Sequence, residues 1–437
     1  MRKIFQYILM AVAVVVTASC SNDIDETLQP AGNGKLQFVV GDFPTFGEGA
    51  QTRVIGTQDE GKTAWEDGDQ IIVTLTSQKY GEQAAALIYD GSSWSTEASL
   101  SYLENETPSI SVIYAPCYEV TEEGVMQLRN GMQLGMSEYL SGDYEMSDGI
   151  MTITFEGAIR DYSRLRIAGL ENQTLTVTTT DFFPAGATEE ATEPYTLTTD
   201  DNGNAYLYGV FAEGATVSVK QGNVTLKDYT FTADKTPNGT EHNKNYALDA
   251  IPVIDGTLDG KATATEDDIT ALVEQLKAYV DNGITTIIVP GTEYAMYGSA
   301  LGTIPAYAEA LYLLTNLNEN SPYCGTIDLI LQDATEIIDF SFDSADALKS
   351  ITLPKVTTVG NGAFYGCLYL EKLTFGSVVT SIDDSGRAVF HRVGEKVDGG
   401  LCNLVLNSEQ VNAEADYQPN IEARTWWNTE WKSITLK

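Results

Sequence analysis

Residues 348–375 read LKSITLPKVTTVGNGAFYGCLYLEKLTF, and this stretch ends with the apolar spacing with which it begins. Three apolar positions recur after 22 residues: Leu348 as Leu370, Ile351 as Leu373 and Leu353 as Phe375. A period of about 20 to 29 residues that opens with an L-x-L strand predicts coils that stack on one another. Each coil buries its apolar face only against its neighbours, so the stack itself supplies the core.

The period extends to both sides of this stretch. Five earlier apolar positions each recur one repeat later: Leu329 as Ile351, Leu331 as Leu353, Ile337 as Val359, Phe342 as Phe364 and Leu348 as Leu370. A third unit carries Leu373, Phe375, Ile382 and Phe390, with an insertion at 392–400 (RVGEKVDGG) and further L-x-L-like strands at 404–406 and 434–436. Burying one such side chain contributes about 1.5 to 3 kcal/mol, so the stack can offset the cost of ordering each turn.

The repeat at 350–375 (SITLPKVTTVGNGAFYGCLYLEKLTF) resembles the BspA-type leucine-rich repeat of bacterial surface proteins. The resemblance implies an α/β solenoid whose parallel strands present a row of outward-facing residues. By alternation along the strands, this row contains Ile330, Thr352, Thr374, Val405 and Thr435. We treat the row as a candidate binding face. The alternative, ordinary strand residues that face solvent, is about equally well supported.

Both ends of the solenoid carry sequences typical of caps. Residues 265–283 have helical apolar spacing, with Thr265 as the N-cap and Gly283 just past the end, and they precede a strand at 284–290. A second, shorter helix is predicted at 304–317. Near the other end, the three tryptophans at positions 426, 427 and 431 favour closure of the stack over stacking on sugar rings.

Residues 35–250 show short alternating runs separated by turn residues, which predicts an all-β sandwich architecture with room for two domains. Several motifs resemble the fimbrillin-type modules of Bacteroidetes surface proteins: TRV (52–54), WEDGDQIIV (65–73), VIYAP (112–116), ITFEGAIRDYSRLRI (153–167) and NKNYALD (243–249). The resemblance implies two tandem transthyretin-like sandwiches, which either build pili or stand alone as anchored surface proteins.

Pilin members of that family are cut after an arginine near the first strand, and the cut frees a groove for the strand of a neighbouring subunit. Arg53 is the residue here that matches this feature, so it is a candidate site of proteolytic maturation. The alternative is an exposed arginine in a turn-rich loop, where such residues are readily tolerated.

The first residues, MRKIFQYILMAVAVVVTASC, predict a secretory signal peptide, because two cations precede a short apolar run and small residues. Cys20 directly follows the small residues. This arrangement resembles a bacterial lipoprotein signal, which implies that Cys20 becomes the acylated N-terminus and holds the protein to the outer membrane. The acidic stretch behind Cys20 resembles an export signal for the cell surface. The alternative is an ordinary signal peptide cut near Ser19.

These patterns predict five segments: a lipoprotein signal peptide at 1–19, a flexible tether at 20–34, two fimbrillin-like sandwiches at 35–157 and 158–250, and a BspA-type repeat domain with an N-terminal helical cap at 251–437.

Composition excludes several classes of function. The formal net charge of −37 repels phosphate backbones, so no nucleic acid partner is expected. Two histidines and five cysteines without C-x-x-C spacing do not form a pattern that is typical of a metal centre. The chain has no P-loop, no G-x-S-x-G motif and no dinucleotide-binding glycine pattern, so we expect neither a cofactor nor an enzyme.

The sequence therefore predicts a non-catalytic adhesin or ligand-binding protein of the cell surface, with a host protein or a glycan as its ligand. The alternative is a minor or tip subunit of a pilus, which would bind other pilus subunits by strand exchange. An enzyme that acts on glycans is a distant third hypothesis.

Overall fold

The computed structural model describes residues 37–44, 62–102, 106–147, 150–155, 160–234, 236, 238–300 and 302–437. Cys20, Arg53, the predicted signal peptide and the predicted tether lie outside the described residues. The described chain divides into two compact units. The first contains the described residues of Met1–Pro44, Ala64–Asn130 and Leu140–Ala158, and the second those of Thr45–Thr63, Gly131–Tyr139 and Ile159–Lys437.

The first unit is built from strands. These are β1 (Gln37–Val40), β2 (Gln70–Ser77), β3 (Gly81–Tyr89), β4 (Trp94–Ser95), β5 (Ser109–Tyr114), β6 (Tyr118–Val120), β7 (Met126–Leu128), β8 (Leu140–Ser147) and β9 (Ile150–Thr154). Seven of the described strands form one sheet in the order β1-β9-β8-β5-β2-β3-β4, and β6 pairs with β7 separately. The edge strand β1 lies parallel to β9, whereas the other pairs of the sheet are antiparallel.

This sheet differs from the two separate sheets of a simple sandwich, because β8 takes part in both halves. Its first residues, Leu140–Gly142, pair with β5, and its remaining residues, Asp143–Ser147, pair with β9. Strands that pass from one layer to the other form the corners of packed β structures. The seven-stranded sheet of the first unit therefore bends at β8.

An aromatic cluster fills the bend. The Trp65 ring lies 4.8 Å from the ring of Phe43, which follows β1, and 5.0 Å from the ring of Trp94 in β4. The indole N–H of Trp65 also donates to the carbonyl oxygen of Gly41 at 2.8 Å. Since β1 and β4 are the two ends of the strand order, these contacts bring opposite edges of the sheet together.

The second unit begins with a β-sandwich. Its strands are β10 (Ser163–Ala168), β11 (Thr174–Thr179), β12 (Phe182–Pro184), β13 (Tyr195–Thr198), β14 (Asn204–Phe211), β15 (Thr216–Gln221), β16 (Val224–Thr230) and β17 (Asn245–Asp249). They form two four-stranded sheets, β12-β14-β10-β17 and β13-β11-β15-β16. Side chains from both sheets share one core, in which the Phe211 ring stacks on Phe182 at 4.2 Å and on Phe231 at 4.6 Å. This region is the all-β sandwich that its alternating runs predict.

The remainder of the second unit is the repeat region. Its helices are α1 (Glu266–Asp281) and α2 (Ala306–Thr315), and short 3-10 helices lie at Ser408–Asn412 and Ala415–Tyr417. Its strands are β18 (Thr286–Val289), β19 (Met296–Ser299), β20 (Gly302–Pro305), β21 (Ile327–Leu331), β22 (Glu336–Ile337), β23 (Leu348–Leu353), β24 (Thr358–Val359), β25 (Lys372–Phe375), β26 (Ser381–Ile382), β27 (Asn403–Leu406), β28 (Thr425–Trp426), β29 (Thr429–Glu430) and β30 (Ser433–Leu436).

The repeats stack as their period predicts. Strands β18-β21-β23-β25-β27-β30 form a six-stranded parallel sheet, and β22-β24-β26 form a second parallel ladder on the same coils. In this register Leu329 pairs with Ile351 and Ile351 pairs with Leu373, which are the residues matched by the 22-residue spacing. The predicted solenoid is therefore present in the structure.

Both predicted helices are present, with slightly different bounds. Thr265 caps α1 in a capping box, because its side chain accepts a hydrogen bond from the Asp268 N–H while the Asp268 carboxylate accepts one from the Thr265 N–H. α2 spans fewer residues than the predicted 304–317, because Gly302–Pro305 pair with Met296–Ser299 as a hairpin. Within the described residues, neither helix is long and apolar enough to cross a membrane.

The core of the solenoid contains a ladder of aromatic rings. Phe342 stacks on Phe364 at 5.5 Å, and Phe364 stacks on Phe390 at 5.8 Å, so the insertion at 392–400 does not interrupt the ladder. Trp426 and Trp431 then cover Phe390 at 5.7 and 5.4 Å, and each is only 1% exposed. The prediction that tryptophans close the stack is confirmed for these two. Trp427 is half-buried and stacks on Tyr417 instead.

Polar contacts follow the same period as the core. Several hydrogen bonds join side chains or backbone groups exactly one coil apart, at a separation of 22 residues: Ser350 to Asp328, Lys355 to Asp333, Asn361 to Asp339 and Leu368 to Asp346. Asp346 is buried, and its carboxylate accepts from the backbone N–H of Leu368. Burial raises the pKa of Asp346, and this hydrogen bond counteracts the shift. The repeats thus pair polar groups that would otherwise be left unsatisfied between coils.

Candidate functional site

The predicted row of outward-facing residues is aligned across the parallel sheet. Strand pairing places Ile330 beside Thr352, Thr352 beside Thr374, Thr374 beside Val405, and Val405 beside Thr435. The flanking residues of each strand point to the core, as the burial of Ile351 and Leu353 on both sides of Thr352 shows. We call these five residues the outward row.

Exposure varies along the outward row. Thr435 is exposed, and Ile330, Thr352 and Thr374 are half-buried. Val405 departs from the prediction, because its side chain is only 6% exposed between the β-branched neighbours Thr374 and Thr435. Val405 can therefore support the shape of the face but offers little surface of its own.

The row continues on β18, where Ile288 pairs with Ile330. Ile288 is only 9% exposed, and Val253 forms a bridge with it at the outer edge of the sheet. The sequence did not identify Ile288 as outward-facing, because it lies inside a continuous apolar run, TIIV, that shows no alternation.

A second, polar row runs beside the first. It consists of Thr286, Asp328, Ser350, Lys372, Asn403 and Ser433, which pair in this order across the sheet. The Ser350 hydroxyl donates to Asp328 at 2.5 Å, and the Ser433 hydroxyl donates to Asn403 at 2.8 Å. This polar row was not predicted from the sequence, although alternation along the strands places it two residues before the outward row.

Together the two rows form a face that suits contact with another molecule. One row offers methyl groups and hydroxyls, and the other offers an amide, an ammonium and a carboxylate. Strand pairing fixes the backbone that carries these groups, so little backbone entropy is lost when a ligand binds them. A face of this kind can provide shape and hydrogen bonds.

The thiols of the described chain show no sign of reactivity. Cys117, Cys367 and Cys402 are buried, and Cys324 is partly exposed. Burial raises the pKa of the Cys367 thiol well above its usual value, and this thiol donates to the carbonyl oxygen of Phe342 at 3.0 Å. Burial also raises the pKa of Cys402 and of Cys324. A thiolate, the reactive form, is therefore disfavoured at these positions.

No three His, Cys, Asp or Glu side chains converge to hold a metal ion in the part of the chain that the structure describes. This includes the Asp255–Glu266 loop, although its spacing of Asp, Thr, Asp, Gly and Glu resembles that of a calcium-binding loop. The Asp255 carboxylate accepts hydrogen bonds from the backbone N–H groups of Thr257 and Asp259.

One of three comparisons with known proteins, the match to a family model, supports the repeat. No curated protein matches the chain. A solved structure of a Bacteroides fragilis protein, provisionally assigned to cell adhesion, aligns with 13% identity over 50% of this chain and 93% of that chain, with a TM-score of 0.27. Residues 320–390 match the model of the BspA-type leucine-rich repeat region in six copies, so this part of the chain carries repeats of that type.

Proposed function

We propose that this chain is a non-catalytic binding protein of the cell surface, and that the sheet face formed by the outward row and the polar row contacts a protein ligand. The observation that carries this proposal is the register of the parallel strands, which aligns Ile330, Thr352 and Thr374 as half-buried neighbours on one face. The match of residues 320–390 to a leucine-rich repeat supports a role in protein binding.

The chemistry of the face favours a protein over a strongly charged ligand. Methyl groups and hydroxyls form the outward row, and in the polar row Asp328 and Lys372 have opposite charges. Apolar patches with a polar rim are typical of protein contacts. A host protein of the extracellular matrix fits this chemistry, and a neutral glycan is the other ligand class to be tested.

We further propose that Cys20 is acylated and holds the protein to the outer membrane, with the body of the chain on the cell surface. The sequence around Cys20 supports this proposal. A Cys20→Ala variant should then appear in the soluble fraction after cell lysis. If the variant stays in the membrane pellet in the same amount as the parent, the lipid anchor is refuted.

Binding can be tested directly with the mature chain. We expect saturable binding to at least one protein in a panel of immobilised extracellular-matrix proteins and polysaccharides, measured by surface plasmon resonance. Failure to bind any member would count against the adhesin proposal. A parallel assay for the release of reducing sugar from the polysaccharides tests the non-catalytic assignment, since any release would overturn it.

A pilus subunit remains the second proposal, and one feature of the first unit favours it. Strand β1 has four residues, lies at the edge of its sheet and, among the described strands, pairs only with β9. Cleavage after Arg53 would separate β1 from the rest of the chain and leave the edge of β9 open to a strand from a neighbouring subunit.

Treatment of the mature chain with an arginine-specific protease should then yield ladders of oligomers on a denaturing gel, and Arg53→Ala should abolish them. A product that stays monomeric after cleavage contradicts assembly.

A further inference from the structure

A pocket with a volume of about 260 Å³ lies beside α2, and no residue of the outward or polar row lines it. Its walls come from α2, from the β19–β20 hairpin, from the turn between β22 and β23, and from Arg387. The apolar part of the lining includes Ala300, Ile304, Ala308, Leu317 and Phe340. Sequence segments that are far apart therefore build one concave site in the repeat region.

Two charged groups of this pocket neutralise each other. Asp343 is only 5% exposed, and the Arg387 guanidinium forms an ion pair with its carboxylate. The Ser344 hydroxyl donates to the same carboxylate at 2.8 Å. The Arg387 guanidinium also lies over the Tyr365 ring, 3.5 Å from its centre. Arg387 is therefore engaged on both sides, and the pair adds no net charge to the pocket.

Glu309, in the first turn of α2, is different. It lines the pocket and is half-buried, and no described residue forms a hydrogen bond or an ion pair with its carboxylate. Burial raises the pKa of Glu309 above its usual value. Partial burial of a carboxylate without a partner costs free energy, because water no longer fully solvates the charge. A bound cation would offset this cost.

We propose that this pocket binds a basic side chain of a protein partner, with its aliphatic stem against Ile304, Ala308 and Phe340 and its cationic end paired with Glu309. The pocket volume of about 260 Å³ accommodates a lysine side chain. The formal net charge of −37 attracts a cationic partner over a long range. The proposal adds a specificity site to the proposed protein-binding function, on which it rests for the nature of the natural partner.

An anionic ligand does not fit this site, because Glu309 would repel it and Arg387 is already paired. The hydroxyls of a neutral sugar could form hydrogen bonds in the pocket, but a neutral sugar would leave the negative charge of Glu309 uncompensated. Three probes separate these cases: N-acetyl-L-lysinamide, its uncharged analogue N-acetyl-norleucinamide, and methyl glucoside. All three can be titrated into the full mature chain and followed by NMR line broadening and saturation transfer.

We expect N-acetyl-L-lysinamide to bind saturably, with a Kd on the order of 1 mM for a ligand of this size. Glu309→Gln should weaken this binding at least about tenfold, while N-acetyl-norleucinamide should bind weakly to both proteins. Glu422→Gln is the matched control, since it removes the same charge from an exposed position outside the pocket, and it should leave binding unchanged.

Three results would overturn the proposal: no saturable binding of the lysine probe to the parent protein, equal affinity of the parent and Glu309→Gln for it, or tighter binding of methyl glucoside than of the lysine probe. Because the probes are small molecules, the outcome does not depend on the adhesion assay. If the chain binds no matrix protein but binds the lysine probe through Glu309, the adhesin proposal is refuted, whereas the proposal that the pocket binds a basic side chain is supported.

Discussion

The rings of Phe342 and Phe364 lie one coil apart with centres 5.5 Å from each other and planes only 12° from parallel. Both side chains are completely buried. This contact shows how the repeat is stabilised, because each coil offers one flat ring to the next and no single coil could bury its ring alone.

Truncation of the central ring should therefore destabilise the whole stack. Phe364 contacts the rings of both Phe342 and Phe390, so Phe364→Ala should lower the free energy of unfolding by about 3 to 5 kcal/mol. Urea unfolding followed by near-UV circular dichroism measures this loss. Lys349→Ala, at an exposed position of β23, should change the free energy of unfolding by less than about 0.5 kcal/mol. Similar losses for the two variants would contradict a shared aromatic core.

The end of the stack offers a second prediction. Trp431 is buried against Phe390, whereas Trp427 is half-buried at the margin of the core and stacks on Tyr417. We expect Trp431→Ala to lower the free energy of unfolding by about 3 to 5 kcal/mol, and Trp427→Ala to lower it by about 1 kcal/mol. Thermal unfolding of both variants tests the difference. A larger loss for Trp427→Ala would show that the stack is closed by another surface.

The capping box of α1 predicts a dependence of stability on pH. Hydrogen bonds from Lys261 and Thr265 lower the pKa of Asp268 to about 2. Because this pKa is depressed in the folded state, the contribution is complete above the unfolded pKa of about 4 and is lost as the pH falls towards 2. Asp268→Asn should therefore be less stable than the parent at pH 7, and the difference should shrink below pH 4.

Guanidinium unfolding at a series of pH values measures this difference. Asp267→Asn is the control, since no described residue forms a hydrogen bond with the Asp267 carboxylate, and its effect should be smaller. A difference between the parent and Asp268→Asn that stays constant from pH 7 to pH 2 would rule out the capping carboxylate as its source.

The second-unit sandwich contains a glycine that packing requires. A Cβ atom at Gly209 would collide with the Phe182 ring and with the carbonyl oxygen of Phe183. The backbone oxygen cannot move freely, because it belongs to the paired strand β12. Gly209→Ala should therefore lower the free energy of unfolding by about 1 to 3 kcal/mol. Gly298→Ala, where no atom lies within 4 Å of the added Cβ, should be neutral or slightly stabilising. Chemical denaturation compares them, and equal stability of the two variants would contradict the described packing.

The repeat region was predictable because one period determines both burial and pairing. Ile351 and Leu353 are buried, and so are their equivalents in the neighbouring coils, Leu329, Leu331, Leu373 and Phe375. The helix α1 was predictable from Thr265 and its apolar spacing. Val405 was misjudged because alternation gives the direction of a side chain but not how far its neighbours cover it.

Features built from distant segments were not predictable. The division of β8 between β5 and β9 depends on pairing across the sheet, which local propensity does not determine. The pocket beside α2 combines Glu309, Phe340 and Arg387, and no spacing in the sequence relates these three residues. Arg387 in particular belongs to a mixed-charge stretch, and its contact with the buried Asp343 is visible only in three dimensions.

The claim that the outward row is a binding face can be tested by placing charge on it. A Thr352→Lys, Thr374→Lys double variant adds two cations to the centre of the row, and a Thr270→Lys, Thr380→Lys variant adds the same charge at exposed positions elsewhere in the repeat region. Both variants should keep the thermal stability of the parent, because all four positions are at least partly exposed.

The decisive measurement is the affinity of the parent and of these two variants for the matrix protein that binds the mature chain most tightly, determined by surface plasmon resonance. We expect the row variant to bind at least about tenfold more weakly, because two lysines would interrupt a contact made by methyl groups and hydroxyls, while the control variant keeps the affinity of the parent. Equal affinities for all three proteins would contradict the assignment of the outward row as the binding face.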